Sequence, residues 1–209
     1  MPHPLLTYHY WIFDMDGTLT LAKHDFSAIR HTLGLPADQT ILESLAALPP
    51  KTAAPLYERL QAIELEIAKR SEAAEGAHEL LAYLSAQGAR LGILTRNSAL
   101  NIEVSLAAAG LAQYFAPLDL ISRDCAPPKP HPAGIQRLLT QWQAQPHEAV
   151  MVGDFVYDLQ AGRAAGTTTL YIDPSAAFPA REQADWCIRS LRELLVMTTH
   201  TNDQPKAAM

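Results

Sequence analysis

Residues 8–20 run Tyr8-His9-Tyr10-Trp11-Ile12-Phe13-Asp14-Met15-Asp16-Gly17-Thr18-Leu19-Thr20, an apolar run that stops in a turn carrying two carboxylates one residue apart. A short apolar run of this kind reads as a strand buried on both faces, as strands of parallel sheets are. Similar runs occupy residues 89–95, 118–122, 149–153 and 168–172. Between them lie segments of helical period: 77–87 stopping at Gly88, 98–109 at Gly110, 133–142 with Pro132 at the first helical position, and 156–165 at Gly166. Glycine after the last periodic residue is a left-handed helix stop, and proline suits a helix start. Strand and helix in regular alternation predict an α/β fold: a parallel sheet core flanked by helices.

Residues 21–75 interrupt that alternation with three helical stripes and no β-rich run. Phe26, Ile29 and Leu33 share one face, Ile41, Leu45 and Leu48 a second, and Leu56, Leu60, Ile63 and Ile67 a third. The division expected is a core of residues 1–20 and 76–197, a small α-helical insertion at 21–75, and a polar, frayed tail at 198–209.

The 209 residues suffice for one domain with a modest insertion. Sixteen Lys and Arg against 22 Asp and Glu leave a net charge of −6, which repels nucleic-acid backbones, and no basic patch overrides it. Cys125 and Cys187 have no metal-type or CxxC spacing and read as free thiols. With no apolar segment long enough to span a bilayer and no signal-type N-terminus, no membrane partner and a cytoplasmic location are expected.

Four strand ends carry the chemistry. Asp14 and Asp16 alternate to one side of an extended strand end; one carboxylate could attack phosphorus while the other protonates the leaving oxygen and later activates water. A turn whose aspartates bond backbone donors is the competing reading. Thr95, Arg96 and Asn97 follow the second strand, where a hydroxyl and a helix start favour phosphate or simply cap the helix. Pro127-Pro128-Lys129-Pro130-His131-Pro132 stiffens the chain around one lysine, suited either to phosphate oxygens or to solvent. Gly153-Asp154 through Asp158 ends another buried strand in an acidic turn, which would serve as a magnesium site or as a helix cap with an exposed acid.

These four signatures, Asp14-Met15-Asp16-Gly17-Thr18, Thr95, Lys129 and Gly153-Asp154 with Asp158, occur in an order that resembles the haloacid dehalogenase superfamily, in its phosphoglycolate-phosphatase-like branch with a small helical cap. The resemblance implies a Rossmann-like core and a Mg²⁺-dependent phosphatase working through an aspartyl-phosphate on a small phosphorylated metabolite. It implies Asp14 as nucleophile, Asp16 as general acid and base, Thr95 and Lys129 as phosphate holders, and metal contacts from Asp14, the Asp16 main-chain carbonyl and Asp154. Asp158 would orient metal-bound water or steady Lys129. Thr18 is expected to help place Asp16 and, with Arg96 and Asn97, to border the substrate. The acidic residue at 16 argues against halide removal and phosphonate cleavage. A sugar phosphomutase of the same fold and a non-catalytic phosphate-binding regulatory module stay open as alternatives, as do monomer and homodimer. Lys23, His24, Asp25, Arg30 and Lys51 are candidates for substrate selection, none of them assigned.

Overall fold

The computed structural model describes residues 3–196; the polar tail expected at 198–209 lies outside them. Six strands, β1 (Tyr10–Phe13), β2 (Arg90–Leu94), β3 (Leu120–Ile121), β4 (Ala149–Gly153), β5 (Thr168–Ile172) and β6 (Trp186–Ile188), form one sheet in the order β3-β2-β1-β4-β5-β6. Every pairing is parallel. The helices α4 (Ala77–Ala86), α5 (Ala99–Ala108), α6 (Ala133–Trp142) and α7 (Val156–Ala165) supply the crossovers expected of such a sheet. The expected Rossmann-like α/β core is therefore observed.

Alternation along the strands divides the core into two layers. Trp11, Phe13, Ile93, Val150 and Val152 pack with Leu80, Leu81 and Leu84 of α4 and with Ile102 and Leu106 of α5. Ile12, Leu94 and Met151 face the other way, onto Ile135, Leu138 and Leu139 of α6 and Ala161 of α7. Three strands are shorter than the apolar runs suggest: β3 keeps two residues of 118–122, and β1 and β2 begin one or two residues late. Leu118 is 74% exposed, because residues 117–119 turn as a 3₁₀ helix before β3 starts. The sheet also gains β6, an edge strand absent from the sequence reading, and Pro132 caps α6 from the position before its first residue.

The interruption contains α1 (Phe26–Leu33), α2 (Ile41–Ala46) and α3 (Pro50–Ala68). Asp25 caps α1 by accepting a hydrogen bond from the Ala28 N–H, and Gly34 stops it with a φ of 67°. Ile29, Leu33, Ile41, Leu45 and Leu60 form a separate apolar cluster, with Leu48, Leu56, Ile63 and Ile67 at its margin. Phe26 departs from its stripe: it is 55% exposed and lies outside that cluster.

One polar contact ties α3 to the core. Glu64 accepts from both guanidinium nitrogens of Arg123, at 3.0 and 2.8 Å, and from Asn101 of α5 at 3.1 Å. Both partners are nearly buried, with side-chain exposures of 11% and 13%. Removing one member of such a pair leaves an uncompensated charge away from water. Glu64→Gln is therefore expected to lower folding stability by about 3 kcal/mol, read as a shift of the urea midpoint at unchanged m-value. An unmoved midpoint would mean that apolar contacts alone hold α3.

Candidate active site

The Asp14 N–H donates to the Val152 carbonyl at 2.8 Å, extending the β1–β4 ladder by one residue, so Asp14 stands at the carboxyl edge of the sheet. From β1 the chain order runs to β2 on one side and to β4 on the other, so this edge is where the topology reverses and leaves a crevice. Thr95 ends β2, with its N–H bonded to the Ile121 carbonyl, and Asp154 follows β4 directly. A cavity of about 370 Å³ opens here, and Asp14, Asp16, Thr95, Lys129, Asp154 and Asp158 all line it.

Lys129 is 3% exposed and reaches Asp14 Oδ1 at 2.6 Å and Asp158 Oδ1 at 2.5 Å. Burial works against its charge, but the fields of Asp14 and Asp158 outweigh burial and raise its pKa, so the ammonium is retained. Asp158 steadies Lys129 and also accepts from the Phe155 N–H at 3.0 Å.

Asp14, Asp154 and Asp158 each offer an oxygen within 4.8 Å of the others. Burial first, then repulsion from Asp14 and Asp158, pushes the Asp154 carboxyl up to about 8. The donor set is oxygen only and carries more negative than positive charge, which fits a hard divalent cation. Glycine makes the crowding feasible at two points. Gly17 has a φ of 88°, and a side chain there would collide with the Asp154 carboxylate; a side chain at Gly153 would collide with Asp158.

Asp16 is bracketed from several directions: Asn97 Nδ2 donates to Oδ2, Thr20 Oγ1 donates to Oδ1 at 3.3 Å, and His24 Nδ1 lies 3.8 Å from Oδ1. Its pKa is raised, chiefly by burial and secondarily by Asp14, while His24, Asn97 and Thr20 oppose the shift. A carboxyl held in this way keeps a proton to a higher pH than an exposed one, which suits a proton donor.

Thr18 is placed differently from the other sequence candidates. Its hydroxyl donates to Asp154 Oδ1 at 3.3 Å, and it is buried and does not border the cavity; Thr20 is the hydroxyl that reaches Asp16. Asn97 does not cap α5, since Ser98 accepts from the Asn101 N–H in that role. Arg96 borders the cavity, donates to Glu43 at 2.6 Å and lies over the Tyr157 ring at 5.3 Å. Of the five candidates for substrate selection, His24 and Arg30 line the cavity, whereas Lys23 pairs with Glu72, Asp25 caps α1 and Lys51 is exposed in the first turn of α3, outside the cavity lining. The sequence reading did not single out Arg123, Glu64, Phe155 or Tyr157, all of which line the same space.

Comparison with known proteins gives a family and a fold. The family model for haloacid dehalogenase-like hydrolases matches residues 21–172. An uncharacterized hydrolase of Saccharomyces cerevisiae is similar at 27% identity over 92% of this chain and 92% of its own. A phosphoglycolate phosphatase of Nitrosococcus oceani is 29% identical over 74% of this chain and 79% of its own. Among solved structures, CbbY from Rhodobacter sphaeroides in complex with phosphate superposes with a TM-score of 0.72 at 21% identity, covering 90% of this chain and 96% of that one.

The raised pKa of Asp154 makes stability depend on pH in metal-free solution. A carboxyl whose folded pKa lies above its unfolded value contributes stability that is complete below the unfolded pKa and is lost as pH rises through the folded one, here from about 4 to about 8. In chelator at pH 9, Asp154→Asn should melt about 5 °C above the parent, with little difference at pH 4. Equal melting temperatures at pH 9 would remove the crowding argument.

Proposed function

The chain belongs to the haloacid dehalogenase-like hydrolases, and from that premise we propose that it is a magnesium-dependent phosphatase that hydrolyses small organic phosphomonoesters through an aspartyl-phosphate at Asp14. The observation that carries this reading is the convergence of Asp14, Asp16, Lys129 and Asp154 on one cavity at the sheet's switch point. The phosphatase name of the Nitrosococcus oceani relative supports phosphate as the group handled. The helical segment within 21–75 is proposed to act as a cap over the substrate.

In the first half-reaction an Asp14 oxygen forms a bond to phosphorus as the bond from phosphorus to the leaving oxygen breaks, and protonated Asp16 delivers its proton to that oxygen. In the second, Asp16 as carboxylate takes a proton from water, the water oxygen attacks phosphorus, and the Asp14 carboxylate departs, releasing inorganic phosphate. Lys129, locked by Asp158, holds positive charge beside Asp14 throughout, and the Thr95 hydroxyl borders the same space. A magnesium ion held by Asp14, Asp154 and the Asp16 main-chain carbonyl would supply further positive charge against the phosphoryl oxygens. Asn97 and Thr20 keep Asp16 directed at the site.

Phosphate release from a panel of phosphomonoesters, with magnesium or chelator, tests the reading. Asp14→Asn is expected to lower turnover by about a thousandfold or more while the protein stays folded; substantial residual turnover would remove Asp14 as nucleophile. Asp16→Ala separates the two half-reactions. With para-nitrophenyl phosphate the leaving group needs no proton, whereas hydrolysis of the intermediate still needs a base. Acid-quenched Asp16→Ala protein should therefore carry the mass of one HPO₃ on the peptide containing Asp14. An unmodified peptide, with turnover equally low on good and poor leaving groups, would count against the covalent route.

A further inference from the structure

The cavity of about 370 Å³ exceeds what a phosphoryl group fills, so its remaining walls describe the leaving group. Phe26, Ile41, Leu42 and Leu60 form an apolar wall on the inserted helices, and Phe155 lines the core side. Apart from the Tyr157 hydroxyl, the polar groups of the inserted helices and of the wall facing them are already engaged. Glu64 holds Arg123 through both oxygens and takes Asn101 as well, and Arg96 is bound by Glu43 with the Thr40 hydroxyl 3.5 Å away. His24 is turned to Asp16 and stacks on Phe26.

A polyhydroxylated leaving group would give up water here and find few free partners, at a cost in each unmade hydrogen bond. An apolar group meets no such penalty and gains from leaving water. One charged side chain is left over: Arg30 of α1 lines the cavity, is half-buried, and its guanidinium has no ion-pair or hydrogen-bond partner among the described residues. A lone guanidinium is matched in geometry and charge by one carboxylate, taken through two parallel N–H bonds.

We propose that the substrate is a phosphomonoester whose leaving group has an apolar body and a carboxylate, with the body against Phe26, Ile41, Leu42 and Leu60 and the carboxylate paired with Arg30. This rests on the phosphatase reading above. Arg30 acts on the choice of substrate and takes no part in the transfer of the phosphoryl group.

Three esters of primary alcohols, matched in the reactivity of the leaving oxygen, separate the terms: para-carboxybenzyl phosphate, benzyl phosphate and a hexose phosphate esterified at its primary hydroxyl. In magnesium buffer, kcat/KM should fall in that order, with steps of about tenfold or more. Arg30→Met should lower kcat/KM for the carboxybenzyl ester by about tenfold and leave benzyl phosphate within about twofold, and Arg30→Lys should restore part of the loss. The benzyl ester controls for folding. Hexose phosphate turned over as well as benzyl phosphate would overturn the apolar body, and an equal effect of Arg30→Met on both benzyl esters would overturn the role of Arg30. Phosphate release from none of the three would overturn the phosphatase reading itself, and the present proposal with it.

Discussion

Three carboxylates, two buried and one half-buried, share one ammonium. Asp14, Asp154 and Asp158 approach within 4.8 Å of one another, and among the described residues Lys129, pressed between Asp14 and Asp158, supplies the compensating charge. Three negative groups against one positive leave the formal balance two charges short, in surroundings where water does little screening. Such an arrangement costs stability and persists because the fold imposes it from three separate strand ends, those of β1, β3 and β4. The proposed function answers that imbalance with a divalent cation for the carboxylates and, beside it, a phosphoryl group.

The sheet supplies the positions and glycine supplies the clearance. Asp14 and Asp154 come from adjacent parallel strands whose ladder continues to the Asp14 N–H, so their separation is set by strand spacing. Gly17, in its left-handed conformation, lets the turn after β1 pass over Asp154 without a side chain between them, and Gly153 does the same for Asp158 beneath it. Thr18 then donates to Asp154 from within the same turn. The turn between β1 and the insertion thus serves two carboxylates at once, its own Asp16 and the one across the sheet.

What was legible in the sequence follows what is local in the fold. Apolar runs, the glycine stop after α7 and the proline before α6 announced β4, β5, α6 and α7 nearly to the residue, because burial on both faces and helix ends act over a few positions. β6 went unread because three residues, Trp186 to Ile188, of which only Ile188 is buried, make too short a pattern, and the residues before β3 look apolar although they turn outward. In the site, the acidic strand ends were plain. The pairing of Arg123 with Glu64 was not, since 59 residues separate them and neither stands in a motif. Phe26 misled for a related reason: helical period places it on the apolar face, but at the first turn of α1 that face has run past the small bundle and opens on the cavity. Ser98 rather than Asn97 caps α5, and only the folded geometry shows that this frees the Asn97 amide for Asp16.

Asp16 shows how the insertion and the core depend on each other. The proposed reaction asks it to be neutral when the leaving oxygen departs and charged when water attacks, so neither form can be strongly favoured. Burial, with the repulsion of Asp14, pushes toward the neutral form; His24, Asn97 and Thr20 push back. Asn97 belongs to the core and Thr20 to the turn after β1, but His24 sits at the entrance to α1 with its ring stacked on Phe26, 5.5 Å between centroids. A displacement of α1 would carry Phe26, and with it His24, away from Asp16 and tip the balance toward the proton-bearing form. The same helix carries Arg30, so the element that recognises the far end of the substrate in the proposal above also adjusts the acid at the near end. In that proposal recognition and proton transfer share one helix, and a leaving group that seats α1 poorly would lose on both counts.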